Sequence, residues 1–330
     1  MAATLKRMIV AVAAVIAGAT TVPVLAAQAD PAKNYPNKPV RLIGPFTPGA
    51  GTDTTARLIA KSLSDQWNQQ VVVDNRTGAA GAIGVDLTAK AQPDGYTICL
   101  ISASLHVNSA TNPNLPYDLT RDLQGISLAT SLFYVMYVNP SVPAKSVQDL
   151  INFARANPGK LNYSSSGTGG LQHLAGELFD YMAKTRMTHV PFKGTAAGVV
   201  ANLSGEVQVG FGTLFGVRPH MQTGKLRGLA ITASKRSPAV DLPTITESGV
   251  PGYSVDQMYG IIGSAKIPKP IVNKINAGIV NALKDPETVK KLTADGSVPV
   301  GSTPEAYTKI IRDEVEKWRK VAQAAGLKLH

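Results

Sequence analysis

Cysteine is almost missing from this chain: Cys99 is alone among 330 residues. A single thiol forms no internal disulfide, so stability rests on core packing. Inside the apolar run 96–101, Cys99 reads as a small buried hydrophobe. Metal and nucleophile signatures are also missing. His106, His173, His189, His220 and His330 show no paired ligand spacing, and neither HExxH nor CxxC occurs. The serines at 164–166 lack the glycine that precedes a nucleophile-elbow serine by two residues. Gly49-Ala50-Gly51 continues with Thr54 where a dinucleotide fingerprint requires glycine, and Gly167-Thr168-Gly169 continues with Gln172. Neither loop carries the Gly-Lys-Ser/Thr of a P-loop. No catalytic residue, metal or cofactor is expected. Aromatics are scarce at 6%, and the basic residues are scattered rather than interleaved with them, which argues against a nucleic-acid partner.

Long apolar runs are absent beyond the N-terminus. There, Lys6 and Arg7 precede a mostly apolar stretch, 8–22, followed by Pro23 and Val24-Leu25-Ala26-Ala27-Gln28-Ala29. This is the order of a secretory leader, residues 1–29, cleaved after Ala26 or after Ala29. Pro23, and a run short of ~20 unbroken apolar residues, argue against a membrane anchor. The mature chain is therefore expected in the periplasm. Losing Lys6 and Arg7 lowers the net charge by two, from +11 to +9. That basic balance suits acidic small molecules.

What the chain does have is glycine-rich loops between strands and helices. Run 40–43 reads as a strand. Pro45-Phe46-Thr47-Pro48-Gly49-Ala50-Gly51-Thr52-Asp53 reads as a tight turn into a helix with Ala56, Ile59, Ala60, Leu63 and Trp67 on its apolar face. Such a turn aims unpaired N–H groups and the positive end of a helix dipole at one spot, which suits a phosphate or carboxylate. Asp53 reads there either as a helix N-cap or as a direct ligand contact. Next come strand 71–73, a loop in which Asn75 and Arg76 read either as bracing hydrogen bonders or as ligand contacts, and a helix with Ile83, Leu87 and Ala91 on its apolar face. The turn Pro93-Asp94-Gly95 and strand 96–101 follow. Residues 106–122 read as irregular.

Run 126–138 exceeds a typical strand and reads as a crossing between lobes. The alternation then restarts with helix 146–156, strand 161–163 and a second glycine loop, 164–170. A helix striped by Leu171, Leu174, Ala175, Leu178, Phe179 and Met182 follows. His173 stands off that stripe, either solvated or facing a cleft. Strand 188–192, helix 195–203 and strands 207–211 and 226–232 complete the unit. Run 259–264 reads as a return crossing. The tail is helical, with Ile271, Ile275, Ile279 and Leu283 on one helix, Pro286 opening a second, and Thr303-Pro304 capping a third. Trp67 and Trp318 fall on core stripes. The pattern predicts an α/β chain in two lobes, residues 30–135 plus 255–330 and residues 136–254, with a ligand cleft between them.

These residues resemble the Bug family (Bordetella uptake gene receptors), the extracytoplasmic solute receptors of tripartite tricarboxylate transporters. The likeness runs from Tyr35 to the C-terminus. It includes Tyr35-Pro36-Asn37-Lys38-Pro39-Val40-Arg41, Pro45-Phe46 with Gly49-Ala50-Gly51-Thr52-Asp53, and Asp74-Asn75-Arg76. Further matching blocks are Pro93-Asp94-Gly95-Tyr96-Thr97, Leu161 through Gly167 with His173-Leu174-Ala175, and His189-Val190-Pro191-Phe192-Lys193-Gly194. The resemblance implies a type II periplasmic-binding-protein fold with a hinged cleft. It implies a small carboxylate held largely by backbone and water contacts, membrane permease subunits as partners, and a monomer. It carries Phe46, Thr47, Gly49, Ala50, Gly51, Thr52 and Asp53 over as one wall. Ser164, Ser165, Ser166, Gly167, Thr168, Gly169, Gly170 and His173 form the other, with Ser102, Thr195 and Ala196 as further candidates. Two positions depart from the family. Ala50 stands where a second consecutive glycine is usual, and Met258 where tryptophan is common. Two other functions stay open on the sequence: a ligand-sensing receptor for a signalling partner, and an α/β hydrolytic enzyme using Ser165 or His173.

Overall fold

The computed structural model describes residues 30–46, 48, 51–168, 170–192, 194–293 and 297–325. The leader, and Thr47, Gly49, Ala50 and Gly169 of the candidate site, lie outside the described residues.

The chain opens with β1 (Val40–Gly44), α1 (Gly51–Trp67) and β2 (Val71–Asn75), then α2 (Ala82–Ala89) and β3 (Thr97–Ser102). β1 pairs in parallel with both β2 and β3. The stripe of α1 packs down as its spacing predicts, with Ala56, Ile59 and Leu63 fully buried. α2 turns the other way. Ile83 and Leu87, expected inside, are exposed, while Gly84, Val85 and Thr88 are buried. The cause is proximity: a Cβ at Gly84 would lie 2.9 Å from Pro45 and 3.0 Å from Ile43, so only the small face fits against the sheet.

β3 runs directly into α3 (Ala103–Thr111), where the sequence reads as irregular. Its serine, asparagine and threonine are poor helix formers. Burial of Leu105, His106 and Val107 holds the helix instead. β4 (Leu123–Val138) is one continuous strand of 16 residues. After it come α4 (Val147–Ala156), β5 (Asn162–Ser165), α5 (Leu171–Ala183), β6 (Thr188–Pro191), α6 (Thr195–Ser204) and β7 (Val209–Thr213). α7 (Leu214–Gln222) follows without a break, a helix hidden in the sequence by Gly216 and Pro219. The chain closes with β8 (Arg227–Ile231), β9 (Asp256–Ser264), α8 (Lys269–Ala282), α9 (Pro286–Thr293), a two-residue β10 (Val298–Pro299) and α10 (Pro304–Ala325). Thr303 caps α10 as expected, its Oγ1 accepting from Ala306 N at 3.2 Å. Tyr307, Ile311, Val315 and Trp318 of α10 are buried.

β4 organises the sheet, whose order is β2-β1-β3-β9-β4-β7-β5-β6, with β8 and β10 also on β4. Through Phe133, β4 pairs with β9; from Tyr134 onward it pairs with β7 and β8. One strand thus serves two groups of parallel strands, β1–β3 and β5–β7, each flanked by helices. The result is a two-lobed α/β fold.

Candidate functional site

Both groups of parallel strands end at the middle of β4. Ser102, last residue of β3, pairs with Tyr259 of β9, and Tyr259 pairs with Thr130 of β4. Thr213, last residue of β7, pairs with Tyr134 of β4. β3 runs with β4 and β7 runs against it, so the two sets of strand ends point toward each other. Four steps along an extended strand span roughly 13 Å. Loops leaving those ends therefore border one crevice, the position where α/β sheets bind ligands.

On the first side, the loop after β1 is fastened from β2. Asn75 Nδ2 donates to Phe46 O at 3.2 Å and to Asp53 Oδ1 at 3.0 Å. Arg57 closes the knot, with Nη2 donating to Asn75 Oδ1 at 3.1 Å and Nε to Asp53 Oδ2 at 2.9 Å. Thr52 and Asp53 are buried. α1 already begins at Gly51, so Asp53 is the third residue of the helix rather than its N-cap. A carboxylate in the first turn still complements the helix dipole. Arg76 braces by pairing with Asp74, which Arg41 also holds. Beside Phe46 the backbone takes positive φ at Gly78, Ala79, Ala80 and Gly81 in succession. A Cβ at Gly81 would sit 3.3 Å from the Phe46 ring. Ser102 is buried, its hydroxyl 2.7 Å from that of Ser104.

On the second side, burial sorts the loop residues. Ser164 and Ser165 are buried and bonded inward. Ser164 Oγ donates to Asn202 Oδ1 at 2.6 Å. Ser165 Oγ lies 2.6 Å from His189 Nε2 and accepts from Gly167 N at 3.1 Å. Ser166, Thr168 and Ala196 are exposed, while Gly167, Gly170 and Thr195 are half-buried. Gly167 carries a φ of +136°, a conformation L side chains rarely adopt. Gln172 lies just behind, accepting from Ser166 N at 2.9 Å and donating to Phe211 O at 2.6 Å.

His173 is only 5% exposed, which overturns its reading as a solvated surface residue. Its ring stacks on His189, and its Nε2 is 3.6 Å from Glu177 Oε1. Glu177 also accepts from Tyr163 OH at 2.6 Å. Burial lowers the pKa of His173, and burial followed by the neighbouring His173 pushes His189 down to about 4. Both imidazoles are therefore neutral at neutral pH. Desolvation raises the Tyr163 phenol, and its bond to Glu177 adds to that.

The structure thus joins Phe46 and Asp53 into one knot, and Ser165 and His173 into another through His189. Sequence reading passed over Gln172, His189 and Thr213 as site residues. Gln172 left one signal, a polar side chain in the first turn of a helix that follows a glycine loop. Met258, one of the two departures from the family pattern, is buried in the core and pairs with Ser131 of β4. Among the described residues no three His, Cys, Asp or Glu side chains are grouped to hold a metal ion, and no helix is long and apolar enough to cross a membrane.

Glycine loops entering helices at facing strand ends, across a shared strand, define a two-lobed solute-binding protein. Residues 55–327 match the model of the tripartite tricarboxylate transporter family receptor, and the chain belongs to that family. The chain is 36% identical to protein BugT of Bordetella pertussis over 303 residues, 90% of this chain and 92% of BugT. Its fold matches R. palustris Rpa4515 with adipate at 35% identity and a TM-score of 0.71, covering 88% and 98% of the two chains. It also matches MatC (Rpa3494) from Rhodopseudomonas palustris with bound malate, at 28% identity and a TM-score of 0.68 over 87% and 99%. The chain is accordingly a solute-binding receptor and not an enzyme, which removes the hydrolytic reading of Ser165 and His173.

Proposed function

We propose that this chain is a periplasmic receptor that closes on a small organic carboxylate and delivers it to permease subunits of a tripartite tricarboxylate transporter. The observation that carries the reading is the convergence of both sets of strand ends on Thr130 to Tyr134 of β4. The adipate and malate in the related structures support the carboxylate class. The basic charge and the leader at residues 1–29 support an exported protein that meets acidic solutes. We take the lobes as residues 30–135 plus 255–330 and residues 136–254, a division supported by the change of β4 partners between Phe133 and Tyr134.

In this proposal the loop 46–53 and the loop 164–170 contact the ligand, with the hydroxyls of the exposed Ser166 and Thr168 among the donors and Thr195 beside them at the start of α6. Ser102 and Ala196 line the cleft. Ser164, Ser165 and His173 hold the second wall from behind, since their polar atoms are directed inward. Closure is a hinge motion at the two crossing strands, β4 and β9. The magnitudes suffice. A micromolar ligand needs about −8 kcal/mol, each helix N-terminus supplies roughly 0.3–1 kcal/mol, and each hydrogen bond to a charged group about 1.5–3 kcal/mol. A few donors from each wall reach that total without an arginine clamp.

Isothermal titration with mono-, di- and tricarboxylates, malate and adipate among them, tests the proposal. Saturable binding of at least one acid is expected. Silence across the whole panel would overturn it.

A further inference from the structure

The last rung joining β5 to β7 is not a backbone hydrogen bond. The two strands pair at Tyr163 with Val209 and at Ser164 with Gly210. In a parallel ladder the next bond would run from Ser166 N to Phe211 O. Instead the side-chain amide of Gln172 stands between them. Its Oε1 accepts from Ser166 N at 2.9 Å, and its Nε2 donates to Phe211 O at 2.6 Å. The same Oε1 lies 3.5 Å from Thr195 Oγ1, at the start of α6. Gln172 is 3% exposed and belongs to the first turn of α5.

One buried amide therefore wedges two strand ends apart and reaches a third segment. The splay it maintains opens the sheet on the side where the cleft lies. The near analogues of glutamine do not fit the pattern. A carboxylate accepts but cannot donate to the Phe211 carbonyl, an apolar side chain does neither, and asparagine is one methylene too short. Buried polar groups left unmatched cost more than the bond itself contributes, so the geometry is strongly held.

We propose that Gln172 is the positioning residue of the second wall. It touches no ligand, but by accepting from Ser166 N and Thr195 Oγ1 it fixes where the turn 166–168 and the start of α6 stand, and it thereby governs carboxylate affinity. The inference rests on the carboxylate-receptor reading above, and its structural half is testable without any ligand.

The test uses the full mature chain, wild type beside Gln172→Leu and Gln172→Glu. In the ligand-free protein, amide hydrogen exchange at Ser166 is followed by NMR. Exchange about tenfold faster in Gln172→Leu is expected, with core amides of β1 and β3 unchanged. In Gln172→Glu the outcome depends on pH. The introduced carboxyl group, when protonated, donates to Phe211 O and accepts from Ser166 N as the native amide does; when ionised, it leaves the carbonyl unmatched. Burial raises the pKa of that carboxyl, so the exchange rate of Ser166 relative to wild type at the same pH returns toward one as pH falls from about 8 to about 5.5, a recovery that lost packing alone would not produce. Titration with malate and adipate is expected to show affinity at least tenfold weaker in Gln172→Leu, with Gln172→Glu approaching the wild-type affinity measured at the same pH as pH is lowered. Unchanged Ser166 exchange in Gln172→Leu overturns the positioning role whatever the titrations show. If Gln172→Leu does not fold, the pH dependence of the Gln172→Glu rate relative to wild type decides, and a ratio that does not change with pH overturns the role. Altered exchange with unaltered affinity overturns the link to binding. A wild-type protein that binds neither those acids nor the wider panel overturns the carboxylate reading instead, leaving the exchange data to judge Gln172.

Discussion

The imidazoles of His173 and His189 lie face to face, ring centroids 3.9 Å apart and planes 23° from parallel. Two stacked rings at that distance tolerate one added charge poorly and two worse. The contact matters because His189 Nε2 holds Ser165 Oγ, the hydroxyl from which the turn at Gly167 hangs. Acid should therefore loosen this side of the site. The sign follows from the lowered pKa. The unfolded chain protonates His189 near its ordinary 6.5, the folded chain only near 4. Stability from this residue is thus complete above about pH 6.5 and is lost as pH falls toward 4. Urea unfolding at pH 7 and at about pH 4.5 should show wild type losing on the order of 1–2 kcal/mol more than His189→Gln, after allowance for solvent screening. Equal losses would show that the pair is not the acid-sensitive element.

Asp256 predicts the opposite slope. It opens β9 beside Ser254, Tyr253 and the α10 residues Glu314 and Lys317, and its Oδ1 has no partner among the described residues. Burial pushes its carboxyl up to about 7; Lys317 opposes that rise and Glu314 adds to it. The folded state then holds the proton that the unfolded state has released, so stability falls between about pH 4 and pH 7 and stays low above. Asp256→Asn should be more stable than wild type at pH 8, by on the order of 4 kcal/mol at most, and should gain nothing near pH 4. Thermal unfolding across that range measures it.

The knot at the first glycine loop yields a third expectation. Asn75→Ala removes the donor shared by Phe46 O and Asp53 Oδ1 and leaves Arg57 with one partner fewer. A loss of about 1–3 kcal/mol is expected in urea unfolding, with carboxylate affinity reduced as well. An unchanged midpoint would mean that the loop is fastened elsewhere.

Gly260 supports a fourth. A Cβ there would collide with the Tyr307 ring of α10. Gly260→Ala should cost about 1–3 kcal/mol through overpacking, and Tyr307→Leu in the same chain should recover part of it. Unfolding midpoints of the single and double variants decide, and additive losses would refute the steric account.

Much of the fold was legible because its helices carry clean stripes and its strands are short apolar runs. α1, α5 and α8 bury the residues their spacing selects, Trp67 and Met182 only partly, and β4 stands out by length alone. The failures have local causes. α3 and α7 contain residues that disfavour helices and are held by burial, which spacing does not report. α2 exposes Ile83 and Leu87 because Gly84 lets the helix press against Pro45 and Ile43, a contact no period reveals. At the site, the glycine loops announced themselves, and so did the bracing by Asn75. The partners that fix the second loop did not. His189 lies 24 residues beyond Ser165 and meets it only through the pairing of β5 with β6. Gln172 gains its role only where β5 and β7 part.

The place of β9 has a consequence for how the chain comes to be folded. This strand fills the gap between β3 and β4, yet it follows every other strand in the chain except the short β10. A chain threaded N-terminus first through a membrane would present β1 to β3 with an unpaired edge at β3 until Asp256–Ser264 emerged. Such an edge invites pairing with other chains, and long-range closure of this kind is slow. On the export proposed above, arrest before Asp256 should leave a protease-sensitive, aggregation-prone intermediate, whereas a chain released after Ser264 can seal its own sheet.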